Sequence, residues 1–377
     1  MDKSKKDPVI VVLQLTGGND YLNTVIPYED SNYYDSRPSL SIPGDKALKF
    51  ADGFGFHPEM KGISDLYSKG QVAVINGIGY ENPSRSHFRS MDIWHTAEPD
   101  KIESEGWLGK SIRLIDPLGE NPVTAVNIGQ GLPRALSAQG AAVTSLATLA
   151  GYGLLTGIEN DIERSALLDK FQAMYTPAVG RGLVMEYLSR TGTDLLNGID
   201  ILKPIPENYT SKVEYAQSSV AQNLRDIAMI HTANVGTQIF YLEHGSFDTH
   251  GMQEITHSRL WQEVSSAITD FWDDLVDHDA HENVIMLVFS EFGRRVRDNG
   301  SGTDHGAAGV TFVIGPSVVG GMYGEYPKTD MGALIEGDLA STLDFRTVYA
   351  ELLDSWMALD SREVIANHVE TQKFIRV

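Results

Sequence analysis

Short apolar runs rich in β-branched residues recur along the chain, and each stops at a glycine or a polar turn. Val9-Ile-Val-Val-Leu-Gln-Leu15 runs into Thr16-Gly-Gly-Asn-Asp20, and Val72-Ala-Val-Ile-Asn76 stops at Gly77. Val123 to Ile128 stops at Gly129, and Gly236 to Leu242 near His244-Gly245. Asn283 to Phe289 stops at Ser290-Glu291, and Val310 to Ile314 at Gly315-Pro316. Runs without polar alternation suit strands buried on both faces, the pattern of a parallel sheet. Leu260, Val264, Ile268, Phe271 and Leu275 step by three or four and line one face of a helix, and Phe345 to Trp356 also reads as helix. Strands alternating with helices predict an α/β fold: a central, mostly parallel sheet sandwiched by helices. The chain, 1–377, reads as one domain. Glu159 to Asn234 reads mostly as helix, and 135–234 is expected to form a helical insertion or cap.

Charge and composition narrow the function. Lys and Arg number 30 against 51 Asp and Glu, a net charge of −21. A surface this acidic repels polyanions, which argues against nucleic acid as a partner. A small anionic substrate remains compatible, because a local cationic site can oppose the global field. With no cysteine, disulfides, thiolate nucleophiles and Cys-ligated metals are excluded. Any metal must sit on His, Asp, Glu or neutral oxygens. The uncharged stretch around 135–158 is too rich in Gly, Ala, Ser and Thr to span a membrane. Lys3, Lys5 and Lys6 precede an apolar run too short for a signal peptide, and Val9 to Leu15 is read as the first core strand. Oligomeric state is not readable.

In open α/β sheets, ligands bind beyond the C-terminal ends of the strands. Several predicted strands lead there to chemistry-bearing residues: Asp20 after the first run, Asp248 and His250 after the fourth, and Glu291 after the fifth, with Asp304 and His305 shortly beyond. Carboxylates and imidazoles sharing one crevice repel or desolvate each other unless a cation sits among them. These six are the candidate ligands of one or two divalent ions. Zinc or manganese suits such a mixed set best, iron also fits, and calcium or magnesium prefers all-oxygen shells. The segment Asn82-Pro-Ser-Arg-Ser-His-Phe88 looks like a helix start. A serine there, Ser86 with Ser84 in reserve, is the candidate nucleophile, with Arg85, Arg294 and Arg295 to clamp a transferred group. Each residue also has a plainer role: Asp20 in a turn, Asp248-Thr-His250 in a surface turn, Ser84 and Ser86 as helix caps. The other histidines, His57, His87, His95, His231, His244, His257, His278, His281 and His368, are expected to be structural or on the surface. His87 and His95, eight apart, could share a helix face near the site.

Together, Leu15-Thr-Gly-Gly-Asn-Asp20, Gly55 to Met60, Pro83-Ser-Arg-Ser-His-Phe88 through Trp94, Glu105-Gly-Trp-Leu-Gly109, Phe247-Asp-Thr-His250, Ser290-Glu-Phe-Gly-Arg294 and Gly302-Thr-Asp-His-Gly306 carry a resemblance. The chain resembles the bacterial family known as domain of unknown function 1501, placed in the alkaline phosphatase–sulfatase superfamily. The resemblance implies metal-assisted hydrolysis of phosphate or sulfate esters through a covalent intermediate. It matches Asp20 to the first acidic ligand, Asp248 and His250 to the Asp/His pair of one metal, Glu291 to a late acidic ligand, His305 to the final histidine, and Ser86 or Ser84 to the nucleophile. Glu291-Phe292 stands where the superfamily usually has Asp-His, which implies a second metal site without its imidazole. The nucleophile position of sulfatases falls on Glu81, which argues against a formylglycine enzyme. Family members commonly carry an export signal and none is read here, so either a leader was removed before the present numbering, the favoured expectation, or this member is intracellular. Two alternatives are a catalytically silent member with a binding or structural role, and a phosphate-transferring mutase or phosphonate-type enzyme.

Overall fold

A computed structural model describes residues 6–152, 163, 166–167, 170, 183–367 and 369–376. Among these, nine strands form one sheet. In chain order the strands are β1 (Val9–Leu15), β2 (Val25–Ile26), β3 (Leu48–Ala51), β4 (Phe54–Phe56), β5 (Val72–Gly79), β6 (Ala125–Ile128), β7 (Thr144–Leu146), β8 (Ile239–His244), β9 (Val284–Phe289), β10 (Gly309–Ile314), β11 (Gly321–Tyr323) and β12 (Leu343–Asp344). The large sheet runs β11-β5-β10-β9-β1-β8-β6-β7, with β12 also on β5. β2, β4 and β3 form a small antiparallel sheet beside it. The runs beginning near Val9, Val72, Gly236 and Val284 thus lie in one sheet, as their apolar patterns predict.

The sheet is mostly parallel. β1 pairs in parallel with both β8 and β9, in continuous registers such as Val11 with Phe240 and Met286. β10 alone runs against its neighbours, antiparallel to β5 and to β9. An antiparallel strand begins at the edge where the others end, so the residues just before β10 reach the same rim as those just after β1, β8 and β9. That reversal brings the segment ahead of Gly309 to the candidate site.

Alternate residues of β1 feed two separate cores. Val9, Val11, Leu13 and Leu15 pack with the helices Ser219–Thr232 and Gln253–Asp277. Ile10 and Val12 pack with His87–Thr96, Trp107–Ile115 and Arg346–Glu351. Helices on both faces bury β1, β5 and β9 throughout, which explains their unbroken apolar runs. The helix expected over Phe345 to Trp356 continues from Arg346–Glu351 into a single wider turn, Leu352–Trp356.

Two parts of the stretch 135–234 belong to the main fold. β7 is the edge strand beside β6, and Ser219–Thr232 covers the first core. Of the rest, Leu183–Leu202 is helical, while 153–162, most of 163–182 and His368 lie outside the described residues. No described helix is long and apolar enough to cross a membrane.

Candidate metal centre

Four side chains from three segments meet at the rim of the sheet. His87 opens the helix His87–Thr96, Asp248 and His250 follow β8, and His305 precedes β10. His305 Nε2 lies 3.1 Å from His87 Nε2, 3.0 Å from His250 Nε2 and 3.1 Å from Asp248 Oδ1. Asp248 Oδ1 is also 3.1 Å from His250 Nε2, and its Oδ2 is 3.5 Å from His87 Nε2. The ligand atoms of His87, Asp248 and His305 all fall within 4.8 Å of one another, and His250 joins them through its contacts to His305 and Asp248.

The other ring nitrogens settle the tautomers. His87 Nδ1 donates to Glu291 Oε1 at 2.8 Å, His305 Nδ1 to the Arg85 carbonyl at 2.8 Å, and His250 Nδ1 to Asp304 Oδ1 at 3.0 Å. Carboxylates and carbonyls only accept, so each Nδ1 carries a proton, and a ring that holds no second proton turns an Nε2 lone pair inward. Lone pairs at 3.0–3.1 Å repel unless a cation lies between them. An imidazole oriented by a carboxylate or carbonyl on its far nitrogen is the usual support of a metal-binding histidine. The donor set therefore fits one divalent ion.

The carboxylates around the cluster do different jobs. Burial opposes the Asp248 charge, but the Arg294 hydrogen bond and charge, with help from His305 and His250, bring its pKa down to about 2. The Glu291 hydrogen bond raises the pKa of His87 against partial burial, so Glu291 favours positive charge at that imidazole. Glu291 is itself buried and accepts from Gly17 N at 2.8 Å and from the Ser290 hydroxyl at 3.1 Å. Phe292 packs on His87 and His305, with ring centroids at 4.9 and 5.0 Å.

Close approach of the loops depends on glycine. A Cβ at Gly17, where φ is +120°, would sit 2.3 Å from Asp248 N, and one at Gly302 would sit 2.3 Å from the His250 carbonyl carbon. Glycine alone lets these backbones come so near.

Several sequence expectations change here. Asp20 is not at the cluster: it is buried, and Arg37 grips both its oxygens while Gln253 donates to it. Arg37 also donates to the carbonyls of Arg295 and Val296, at 2.9 Å each, so this ion pair fastens two loops. Glu291 and Asp304 touch histidines rather than the centre. Arg294 is not a clamp for substrate: it is buried and donates to the carbonyls of Gly17, Gly18, Phe247 and Thr303 and to Asp248. Arg85 is held by Asp338 and Glu336 at 2.7 and 3.1 Å. Ser84 Oγ accepts from Ser86 N at 3.2 Å and braces the turn. Ser86 is exposed and its side chain makes no cap bond, which removes the plain capping role for its hydroxyl.

His87 is the residue that the sequence reading grouped with the structural histidines, while noting that it could share a helix face with His95 near the site. Its signal was its place directly after Ser84-Arg-Ser86, already tied to the site. His95, on the same helix, is buried elsewhere and bonded to Gln14 and Tyr241.

A family described as "Protein of unknown function (DUF1501)" matches residues 7–369. No curated protein matches the chain. Among solved structures, the chain is similar to a protein in the alkaline phosphatase superfamily from Vibrio parahaemolyticus, at 11% identity and TM-score 0.36, covering 89% of this chain and 68% of that one. It is similar to the PsFucS1 sulfatase from Pseudoalteromonas sp., at 12% identity and TM-score 0.40, covering 98% and 74%. It is also similar to the C-terminal periplasmic domain of EcEptC from Escherichia coli in complex with Zn, at 9% identity and TM-score 0.37, covering 84% and 74%.

Proposed function

The chain belongs to the family described as a protein of unknown function, DUF1501, and we propose that it is a metal-dependent hydrolase of phosphate or sulfate esters built on a single-ion centre. The observation that carries this reading is the convergence of three imidazole Nε2 atoms and the Asp248 carboxylate, with every Nδ1 already donating outward. Three nitrogens and one carboxylate oxygen suit zinc, with manganese or iron as competitors. A second ion would need Asp20 or Glu291, and those are spent on Arg37 and on Gly17 with His87.

A divalent ion held by these four ligands would polarise an ester oxygen and lower the pKa of a hydroxyl beside it. The protein supplies the remainder. Arg294 holds Asp248, while Glu291, Asp304 and the Arg85 carbonyl hold the three rings. Ser86, adjacent to His87 and free of a capping bond, offers the nucleophilic hydroxyl. The test is metal content together with turnover of aryl phosphates and sulfates. Zinc at one per chain, lost along with hydrolysis in His305→Ala, supports the reading. Equal metal content in parent and variant overturns it.

A further inference from the structure

We propose that the centre takes a singly charged ester of an apolar alcohol, a sulfate monoester or a phosphodiester, in preference to a doubly charged phosphate monoester. The inference rests on the hydrolase reading above and narrows its substrate class. Two independent observations carry it, one of charge and one of surface.

The charge around the centre is already balanced. Asp248, Glu291 and Asp304 touch the histidines, and the Arg294 guanidinium meets Asp248. A divalent ion among them brings this group to neutrality and leaves nothing over for a dianion. Arg294 is buried with its N–H groups on backbone carbonyls and Asp248. Arg85 and Arg295 both lean on Asp338, and Arg85 also on Glu336. Arg297, farther along the same loop, is exposed and supplies one positive charge. A phosphate monoester brings about −1.5 to −2 at neutral pH, whereas a sulfate monoester or phosphodiester brings one negative charge. The second charge would face the field of a chain carrying −21.

The segments that carry the centre also expose large apolar side chains. Phe88 follows His87 and is 86% exposed, and Met252 lies two residues beyond His250 and is 69% exposed. Ile255, in the next turn, is 69% exposed, and Ile335, adjacent to the Glu336 that pairs with Arg85, is 58% exposed. The segments converge because His87, His250 and the Arg85 carbonyl all touch His305. Large apolar side chains exposed on segments that meet at a polar centre offer a surface to an apolar ligand. Here that ligand is the alcohol portion of the ester.

Titration calorimetry separates this proposal from the metal reading. Zinc is titrated alone first; then butyl sulfonate, octyl sulfonate and octyl phosphonate are titrated into the zinc-loaded protein at mildly alkaline pH. The sulfonates are non-hydrolysable single anions, and the phosphonate is a dianion. Octyl sulfonate is expected to bind about tenfold more tightly than octyl phosphonate, because an uncompensated second charge is disfavoured. Affinity should rise about twofold to fourfold per methylene from butyl to octyl. The double variant Phe88→Ser, Met252→Ser should lose most of that chain-length gain and keep its zinc affinity. Turnover of aryl sulfate against methyl aryl phosphate then tells the two ester sources apart, and the better of them should exceed aryl phosphate in kcat/KM. Phosphonate binding as tight as sulfonate, or no gain with chain length, overturns the proposal and leaves the metal centre standing. Failure to bind zinc, manganese or iron overturns both.

Discussion

His250 and His305 meet through their Nε2 atoms at 3.0 Å, although they lie on separate loops, one after β8 and the other before β10. Their Nδ1 atoms are turned outward, to Asp304 and to the Arg85 carbonyl. Two ring nitrogens turned inward at that distance suit a shared cation, and the predictions that follow depend on it.

Replacing a ligand and replacing its support should differ in size. His87→Ala removes an inward nitrogen and is expected to abolish stoichiometric zinc binding at micromolar protein. Glu291→Gln keeps the shape but weakens the hold on His87, and should cost about 10- to 100-fold in zinc affinity. Competition titration with a chromophoric chelator measures both. Parent-like affinity in His87→Ala would remove that histidine from the centre.

Asp20→Asn should act on stability. It leaves Arg37 buried and uncompensated, a change that typically costs about 3–5 kcal/mol. Denaturant unfolding should show that loss, and the folded variant should keep its full zinc stoichiometry. Loss of zinc at parental stability would return Asp20 to the ligand set.

Ser86→Ala should remove turnover by several powers of ten while changing stability by less than about 1 kcal/mol, because the hydroxyl makes no cap bond. Ser84→Ala should show a smaller loss through a looser turn, since Ser84 Oγ accepts from Ser86 N. Aryl ester assays with the metal present decide the matter. Undiminished rates in both variants would assign the attack to water.

Mild acid should destabilise the fold through its buried histidines. Burial lowers the pKa of His57 to about 3, with the neighbouring His257 adding to the effect, and burial lowers His95 and His257 to about 4. Each is held neutral when folded and takes up a proton near its ordinary pKa of 6.5 when unfolded. Their contribution is full above pH 6.5 and is lost as pH falls toward 4, to a total of several kcal/mol. Chemical denaturation at a series of pH values should show this decline in metal-free protein. A flat profile between pH 6.5 and 4 would show that these rings charge without cost.

Gly17→Ala should disturb both fold and centre. Its Cβ would lie 2.3 Å from Asp248 N at a φ of +120°, a strain of at least about 1–3 kcal/mol. Lower stability together with weaker zinc binding is expected, since Gly17 N also holds Glu291.

The apolar runs made the sheet legible because burial on both faces is written locally, residue by residue, in β1, β5, β8 and β9. The same runs placed Asp248, His250 and His305 just past or just before strands. They did not reveal that β10 is antiparallel, since direction depends on neighbours far away in the chain. Nor did they show which polar residues at the rim would find each other. Asp20 and His87 illustrate the difference. An acid after a strand reads as a ligand until Arg37, seventeen residues on, folds back to neutralise it. A histidine at a helix start reads as ordinary until Glu291, 204 residues away, turns its ring. The sequence by itself determined the layers of the fold and the loops that carry chemistry, because hydrophobic periodicity acts over a few residues. Only the tertiary structure decided which charges cancel and which converge, because that depends on which groups the folded chain brings within bonding distance, from seventeen to over two hundred residues apart.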